Sequence, residues 1–506
     1  MPAVGFGKSG IVINDADSER DAEPAARTIG RAAGKGLRWS LMGNVSTRLG
    51  TLLLGIALAR LLTPADFGLY AIALSAMFFA MHVNDVGIIA ATVQWRGRLE
   101  EMMPTATTLA LTFSVVGYGF FWVVAPSFAA LAGSPEATPV VRLLTAVILI
   151  DGLTAVRVAS LLRSFRQDRL MIANLCGLVV NAGVAILLAV RGAGPFSFAG
   201  GQVAGAVVTG IFVLWSARVP MRFGFDRAIT GRLMRFGVPL ALSLGVEAVL
   251  LNADYVMVGR ALGVVALGFY LLAFNVSSWA PGVIGTAIRW VSVPSFSRLA
   301  ENEGSLSPGV QRSFTLLFTG VLPIAVLTVV LAPALVEFLY GGKWAPAAPA
   351  LRFLVLLGAV RMLTQLAVDV LTSAGATRAT LWLNLGWAAA LVPALVIGIR
   401  LDGIRGAAIA HALVGLLVAV PLAVGALRHI GVRLGPVVPT LVRPVLAGVL
   451  SASACMLVAE LTSSSFLELL AAGSAGLLAY VVAVVPFDQL RAWGGRATAL
   501  LPDRSR

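Results

Sequence analysis

Ionisable and amide residues recur at helical spacing inside otherwise apolar stretches of this chain. Arg361, Gln365 and Asp369 stand at i, i+4 and i+8; Asn44, Arg48 and Thr51 at i, i+4 and i+7; Ser243, Glu247 and Asp254 at i, i+4 and i+11; His82 and Asp85 at i and i+3. On a helix each set shares one face. An ionisable group at mid-membrane costs roughly 2.5–3.5 kcal/mol on insertion scales, so it faces a watery cavity, a partner or a pathway. The chemistry on offer is non-covalent. A guanidinium can take an anion through paired hydrogen bonds, and a carboxylate can change protonation as its surroundings wet or dry. Asp151 is also deep in an apolar stretch, whereas Arg157 lies nearer its end and can snorkel to the surface. His411 stands alone and reads as a hydrogen-bonded packing residue.

The elements that carry these residues are membrane helices. Hydrophobic residues make up 58% of the 506 and charged residues only 12%, against roughly one quarter charged in a soluble domain. A bilayer crossing needs about 20 mostly apolar residues. Hydropathy, broken at Pro, Gly and charge clusters, gives fourteen spans near 39–60, 67–92, 104–126, 139–162, 171–190, 198–218, 235–259, 264–288, 313–333, 347–374, 379–399, 403–428, 440–460 and 465–487. The chain is thus expected to be an all-α polytopic membrane protein.

Basic residues fix an orientation. They gather in the first 38 residues (Arg27, Arg31, Lys35, Arg38) and after spans two, four and six: Arg96 and Arg98; Arg163, Arg166 and Arg169; Arg218, Arg222, Arg227, Arg232 and Arg235. Arg298 and Arg312, then Arg378, then Arg428 and Arg433 follow spans eight, ten and twelve. Both termini are therefore expected in the cytoplasm. Residues 1–38 mix acids, bases, Gly and Pro and read as a disordered tail without a cleavable signal peptide. Their "GFGKSG" lacks the upstream Gly of a phosphate-binding loop, because Pro2 stands there. Cys176 and Cys455 lie far apart in apolar runs and suggest neither a disulfide nor a metal site, and no cofactor is expected. The net charge of +14 is spread between spans with few interleaved aromatics, which argues against nucleic acid. Of 38 basic residues only Lys8, Lys35 and Lys343 are Lys, which fits a GC-rich bacterial genome.

One short stretch returns. "LARLLTPADFGLY" at 58–70 is echoed 200 residues later, so that Arg60 pairs with Arg260, Leu62 with Leu262, Gly68 with Gly268, Tyr70 with Tyr270 and Ala73 with Ala273. Both copies join the first two helices of a six-helix block. The expected organisation is a lobe at 39–218, a cytoplasmic linker at 219–234, a second lobe of the same hand at 235–428, and a further helix pair with a cytoplasmic end at 429–506. Arg48 and Glu247 then fall at similar depth in equivalent helices. They either pair in one conformation and separate in another, freeing Arg48 for an anionic substrate, or form a fixed structural ion pair.

"LARLLTPADFGLYAIALS", "GFYLLAFNVSSWAPGVIGTAIRWVSVPSFSRL" at 268–299 and "YGGKWAPAAPALRFL" at 340–354 resemble the Wzx/WzxC-type polysaccharide flippases of the multidrug/oligosaccharidyl-lipid/polysaccharide exporter superfamily, and the likeness extends loosely over 37–430. The resemblance implies two MATE-like six-helix lobes that alternate access in the bacterial cytoplasmic membrane. It implies a polyprenyl-diphosphate-linked oligosaccharide as substrate, with other polysaccharide-assembly proteins as partners. Arg48, Arg361 and Arg157 would then hold the diphosphate, and Asp85, Glu247, Asp254 and Asp369 would serve ion coupling or gating. Fourteen spans, where the simplest exporters have twelve, also match the peptidoglycan-lipid flippases, so lipid II flipping is the alternative. Cation-coupled drug export is disfavoured by buried arginines. A membrane polymerase is disfavoured by the scarcity of His, with only His82, His411 and His429 in the chain.

Overall fold

A computed structural model describes residues 39, 42–84, 89, 92, 95, 99–164, 166–217, 220, 222–279, 306–374, 376–462 and 464–485, with side chains at 82, 83, 99, 236, 239, 240, 242–251, 306 and 377 excepted. The predicted tail at 1–38, the end of predicted span eight and residues beyond 485 lie outside these. Among the described residues every regular element is helical, and twelve of the helical stretches are long and apolar enough to cross a membrane.

Six arms come first. They are α1 (Met42–Leu61), α2 (Pro64–Asn84), α3 (Leu99–Leu131), α4 (Thr138–Thr145 and Val147–Arg163, broken at Ala146), α5 (Gln167–Val190) and α6 (Phe196–Ser216). The helix Arg227–Ser277 breaks at Gly263, where φ is 82°, into α7 (227–262) and α8 (264–277). These arms fold back on each other, since the Tyr270 hydroxyl reaches Asp254 at 3.0 Å, a pair that a straight helix would hold about 24 Å apart. After α9 (Leu306–Tyr340) and α10 (Ala348–Ser373), the helix Thr377–Val414 breaks at Asp402 and Gly403. It gives α11 (377–401) and α12 (404–429), and Gly398 packs against Gly406 and Ala410 across that corner. The last pair is α13 (Val437–Ala459) and α14 (465–484). Fourteen arms result, and the two hairpins explain why length and hydropathy alone yield twelve.

Among the described residues, the turns after odd-numbered arms lie at one end of the bundle and those after even-numbered arms at the other. At the odd-turn end "LTPAD" forms a capping box. The Thr63 hydroxyl donates to the Asp66 carboxylate at 2.7 Å, and the Thr63 N–H donates to it at 2.9 Å. The Asp66 N–H in turn donates to the Thr63 hydroxyl, and Pro64 occupies the first helical turn, where its missing N–H costs nothing. Asp226 likewise caps α7 by accepting from the Ala228 and Ile229 N–H groups, so that helix starts at Arg227 rather than near 235. The preceding link is pinned to α3, whose Thr108 and Thr105 hydroxyls accept from the N–H groups of Gly224 and Asp226.

The centre of the bundle is a crossing of α2 and α8. A β-carbon on Gly68 would collide with the Val264 carbonyl, and one on Gly268 with the Pro64 carbonyl. These two contacts exchange under the same shift of 200 (64 to 264, 68 to 268) that relates the sequence copies. A contact that maps onto itself when its partners are swapped is the mark of two-fold packing. The α13–α14 pair lies on α9. The Tyr480 hydroxyl donates to the Thr319 carbonyl at 2.8 Å, and Ser465 bonds Glu337 at 3.0 Å. Cys455 is buried there as a packing residue, and both cysteines are free. Apolar residues exposed on the outer helices, such as Val116, Phe120 and Val123 of α3 and Val179 and Val190 of α5, fit a hydrocarbon surround.

Candidate functional site

A cavity of about 350 Å³ opens between α1, α2, α5 and α6 on one side and α8 on the other. Arg48, exposed on α1, lines it together with Thr51. Ten residues further along α1, Leu58 closes its far end beside Phe67 and Tyr340. The amides of Asn181, Gln202 and Asn275 also border it. The Tyr70 phenol donates to Gln202 Oε1 at 3.1 Å and stacks on Phe198, with ring centroids 4.2 Å apart.

Above Leu58 the odd-turn end is sealed by cations seated on helix C-termini. Arg60 of α1 donates to the carbonyls of Leu339, at 2.9 Å, and Phe338 at the end of α9. Arg260 of α7 reaches the Leu131 carbonyl at the end of α3, at 3.4 Å. Lys343, just past α9, donates to the Arg60 and Leu62 carbonyls at the end of α1 at 3.1 and 2.8 Å, and the Trp344 indole donates to the Ala59 carbonyl at 2.8 Å. The last turn of a helix leaves carbonyls unpaired and carries partial negative charge, so each contact satisfies an orphan acceptor and a dipole together. Every one of them joins α1–α6 to α7–α12.

Hydrogen bonds to charged groups contribute about 1.5–3 kcal/mol, and the exposure of Arg60 puts it at the lower end. Loss of the Arg60 contacts should therefore open the seal by roughly tenfold. The check is maleimide labelling of Leu62→Cys, which is buried in the seal, in a chain lacking Cys176 and Cys455. Adding Arg60→Ala is expected to raise the labelling rate by about that factor, and an unchanged rate would rule the clasp out.

The residues singled out from the sequence separate into two groups in space. Arg48 lines the cavity, whereas Arg361, Asp254 and His411 meet elsewhere, among α7, α8, α10 and α12. Asp254 is fully buried; it accepts from the Tyr270 hydroxyl and the Tyr255 N–H, each at 3.0 Å, and lies 3.7 Å from His411 Nδ1. The Arg361 guanidinium sits 5.6 Å over the Phe274 ring and acts electrostatically on both Asp254 and His411. Asp369 accepts from Gln365 at 3.1 Å, as their spacing requires. Arg157 is buried and turns toward the Leu153 carbonyl of its own helix at 3.4 Å. Asn84 donates to Asp151 at 3.1 Å and accepts from Ser114 at 2.7 Å, which joins α2, α3 and α4. Asp85 and the side chains of His82 and Glu247 lie outside the described residues, and with them the Arg48–Glu247 pairing.

Sequence reading missed Asn181, Gln202 and Asn275, because single amides in apolar helices carry no spacing signal, and it met Tyr70 only as part of the echoed stretch. It also set His411 apart from Asp254, whose distance along the chain hides their contact. Among the described residues no group of three or more His, Cys, Asp or Glu is gathered as for a metal ion.

Fourteen arms, a central crossing and a cavity sealed at one end define a membrane transporter with the MATE/MurJ-like fold. The structure of the lipid II flippase MurJ in an inward closed conformation superposes with a TM-score of 0.74 at 13% identity, over 87% of this chain and 97% of that one. An inward-facing multidrug resistance MATE family transporter of the MOP superfamily does so with 0.62 at 18% identity, over 77% and 98%. The chain belongs to the polysaccharide biosynthesis protein family, whose profile matches residues 57–349, a family of transporters and not enzymes. The succinoglycan biosynthesis transport protein ExoT of Rhizobium meliloti (strain 1021) is 26% identical over 384 residues, 75% of this chain and 76% of ExoT. The lipopolysaccharide biosynthesis protein WzxC of Escherichia coli (strain K12) is 22% identical over 391 residues, 76% and 78% of the two chains.

Proposed function

We propose that the protein flips a polyprenyl-diphosphate-linked oligosaccharide from the cytoplasmic to the external leaflet by alternating access, for assembly of a surface polysaccharide. The observation that carries this reading is Arg48, a guanidinium inside a membrane cavity that lies between two halves clasped at one end. A guanidinium matches the paired oxygens of a diphosphate. The lobes are taken as 39–218 and 235–428, with 219–234 as their link and the pair after 429 as an addition. The basic loops of the even-turn end support a cytoplasmic side for it and for both termini, in a bacterial inner membrane. Three cations of the odd-turn end, Arg60, Arg260 and Lys343, are occupied in the seal, which supports the same orientation.

Arg361 beside Asp254 and His411 supports a coupling role for that cluster, through a proton or a sodium ion, over direct contact with the diphosphate. Arg157, turned to its own backbone, supports packing. The test is surface glycan export with Arg48→Ala and Arg48→Lys at matched protein level. Arg48→Ala is expected to reduce export at least tenfold, about 1.4 kcal/mol, and Arg48→Lys to retain part of it as a point charge. Full export by Arg48→Ala would overturn the reading. Restored flux of lipid II alone would point to the peptidoglycan precursor instead.

A further inference from the structure

Arg48 accounts for one end of the cavity and leaves the other unassigned. The far end is neither plain hydrocarbon nor charged. Its wall is aromatic, with Phe67 edge-on to Phe198 at 4.8 Å and Phe198 stacked on Tyr70, and its polar groups include the amides of Asn181, Gln202 and Asn275. Aromatic faces with a few placed donors and acceptors, and no ion, suit a neutral ligand that has apolar C–H faces and a rim of hydroxyls. That is the chemistry of a pyranose. Amides donate and accept at once, as a hydroxyl does. Gln202 already accepts from Tyr70, which holds its carbonyl in place and leaves its NH₂ group to donate.

Height along the bundle strengthens the match. Gly43 packs on Met171 and Gly50 on Leu178, so α1 and α5 run side by side at a constant shift of 128 (43 to 171, 50 to 178). Asn181 therefore lies level with residue 53, five residues beyond Arg48, or about 7.5 Å along the axis. Gly201 of α6 packs on Asn181, which brings Gln202 to the same layer. That rise is about the reach from a diphosphate to the hexose it carries. Asn275 borders the same cavity from α8, facing these residues of α5 and α6.

We infer that the layer of Tyr70, Phe198, Asn181, Gln202 and Asn275 is a sugar subsite that binds the hexose attached directly to the diphosphate, and that it sets which lipid-linked glycan is accepted. This rests on the assignment of Arg48 to the diphosphate. Because the layer draws on α5, α6 and α8, a bound hexose ties them together, and a bare lipid carrier leaves Asn275 unengaged.

The test is calorimetric titration of the full chain in detergent with polyprenyl diphosphate, bare or carrying one glucose or one galactose. The wild type is expected to bind one hexose-bearing lipid about tenfold more tightly than the bare lipid. Gln202→Leu and Asn275→Leu are each expected to erase that difference and leave bare-lipid affinity unchanged, which also shows that the variants fold. Arg48→Ala should weaken all three lipids in parallel. Equal affinity of the wild type for bare and both hexose-bearing lipids overturns the sugar subsite alone, provided binding still depends on Arg48. Parallel weakening of bare and sugar-bearing lipid by Gln202→Leu and Asn275→Leu also overturns it. A wild type that binds none of the lipids overturns the functional reading and this inference with it.

Discussion

Alanine at Gly68 or at Gly268 is expected to leave almost no folded protein in the membrane. The added β-carbon would lie well inside the 3.0 Å that real β-carbons keep, and its neighbour is a backbone carbonyl, Val264 in one case and Pro64 in the other. A flexible side chain could swing away; a helix backbone cannot. The helices α2 and α8 would have to part along their whole crossing, uncovering Ala71, Ile72, Leu271 and Leu272, all now buried. Such overpacking belongs with the rare substitutions that exceed about 4–5 kcal/mol. Gly320→Ala in α9 is the control, because nothing lies within 4 Å of its β-position. It should match the wild type or gain up to about 1 kcal/mol from helix propensity. Size-exclusion profiles of detergent extracts report the outcome, and monodisperse Gly68→Ala protein at normal yield would refute the crossing.

Asp254→Ala should be the most damaging change to the polar interior, at roughly 3–5 kcal/mol. It removes the acceptor of the Tyr270 hydroxyl and the Tyr255 N–H and takes away the negative charge beside Arg361. A buried pair is costly to break because the surviving partner is left uncompensated, more than because the pair itself stabilises. It follows that removing both charges should cost less than removing one. Arg361→Met on top of Asp254→Ala is therefore expected to recover part of the lost thermal midpoint, in a double-mutant cycle with a coupling energy of opposite sign to the first loss. Additive losses would show that Arg361 and Asp254 act independently.

Most of the architecture was legible in the chain because membrane helices declare themselves by length and apolar composition, and turns by Pro, Gly and charge. The pairing of Gly68 with Gly268 marked the two positions where α2 and α8 cross. What each residue does there was not legible. Gly68, Asp66 and Tyr70 read only as parts of a stretch joining two spans, yet Gly68 serves a helix crossing, Asp66 caps α2 and Tyr70 walls the cavity. Periodicity also found Arg48 and the Gln365–Asp369 pair, since these are contacts or faces of single helices. It gave no hint that Asp254 meets His411, or that Gln202 meets Tyr70, because tertiary neighbours separated by more than a hundred residues leave no mark on local spacing.

The clasps at the odd-turn end have a genetic consequence. Their donors are four side chains, Arg60, Arg260, Lys343 and Trp344, but their acceptors are main-chain carbonyls at positions 338, 339, 131, 60, 62 and 59. Substitution alters a donor and leaves a carbonyl in place, so these locks are heritable from one side only. Second-site suppressors of Arg60→Ala should therefore never map to Phe338 or Leu339; they should arise where the opposite, even-turn end is weakened, restoring the balance between the two closed ends.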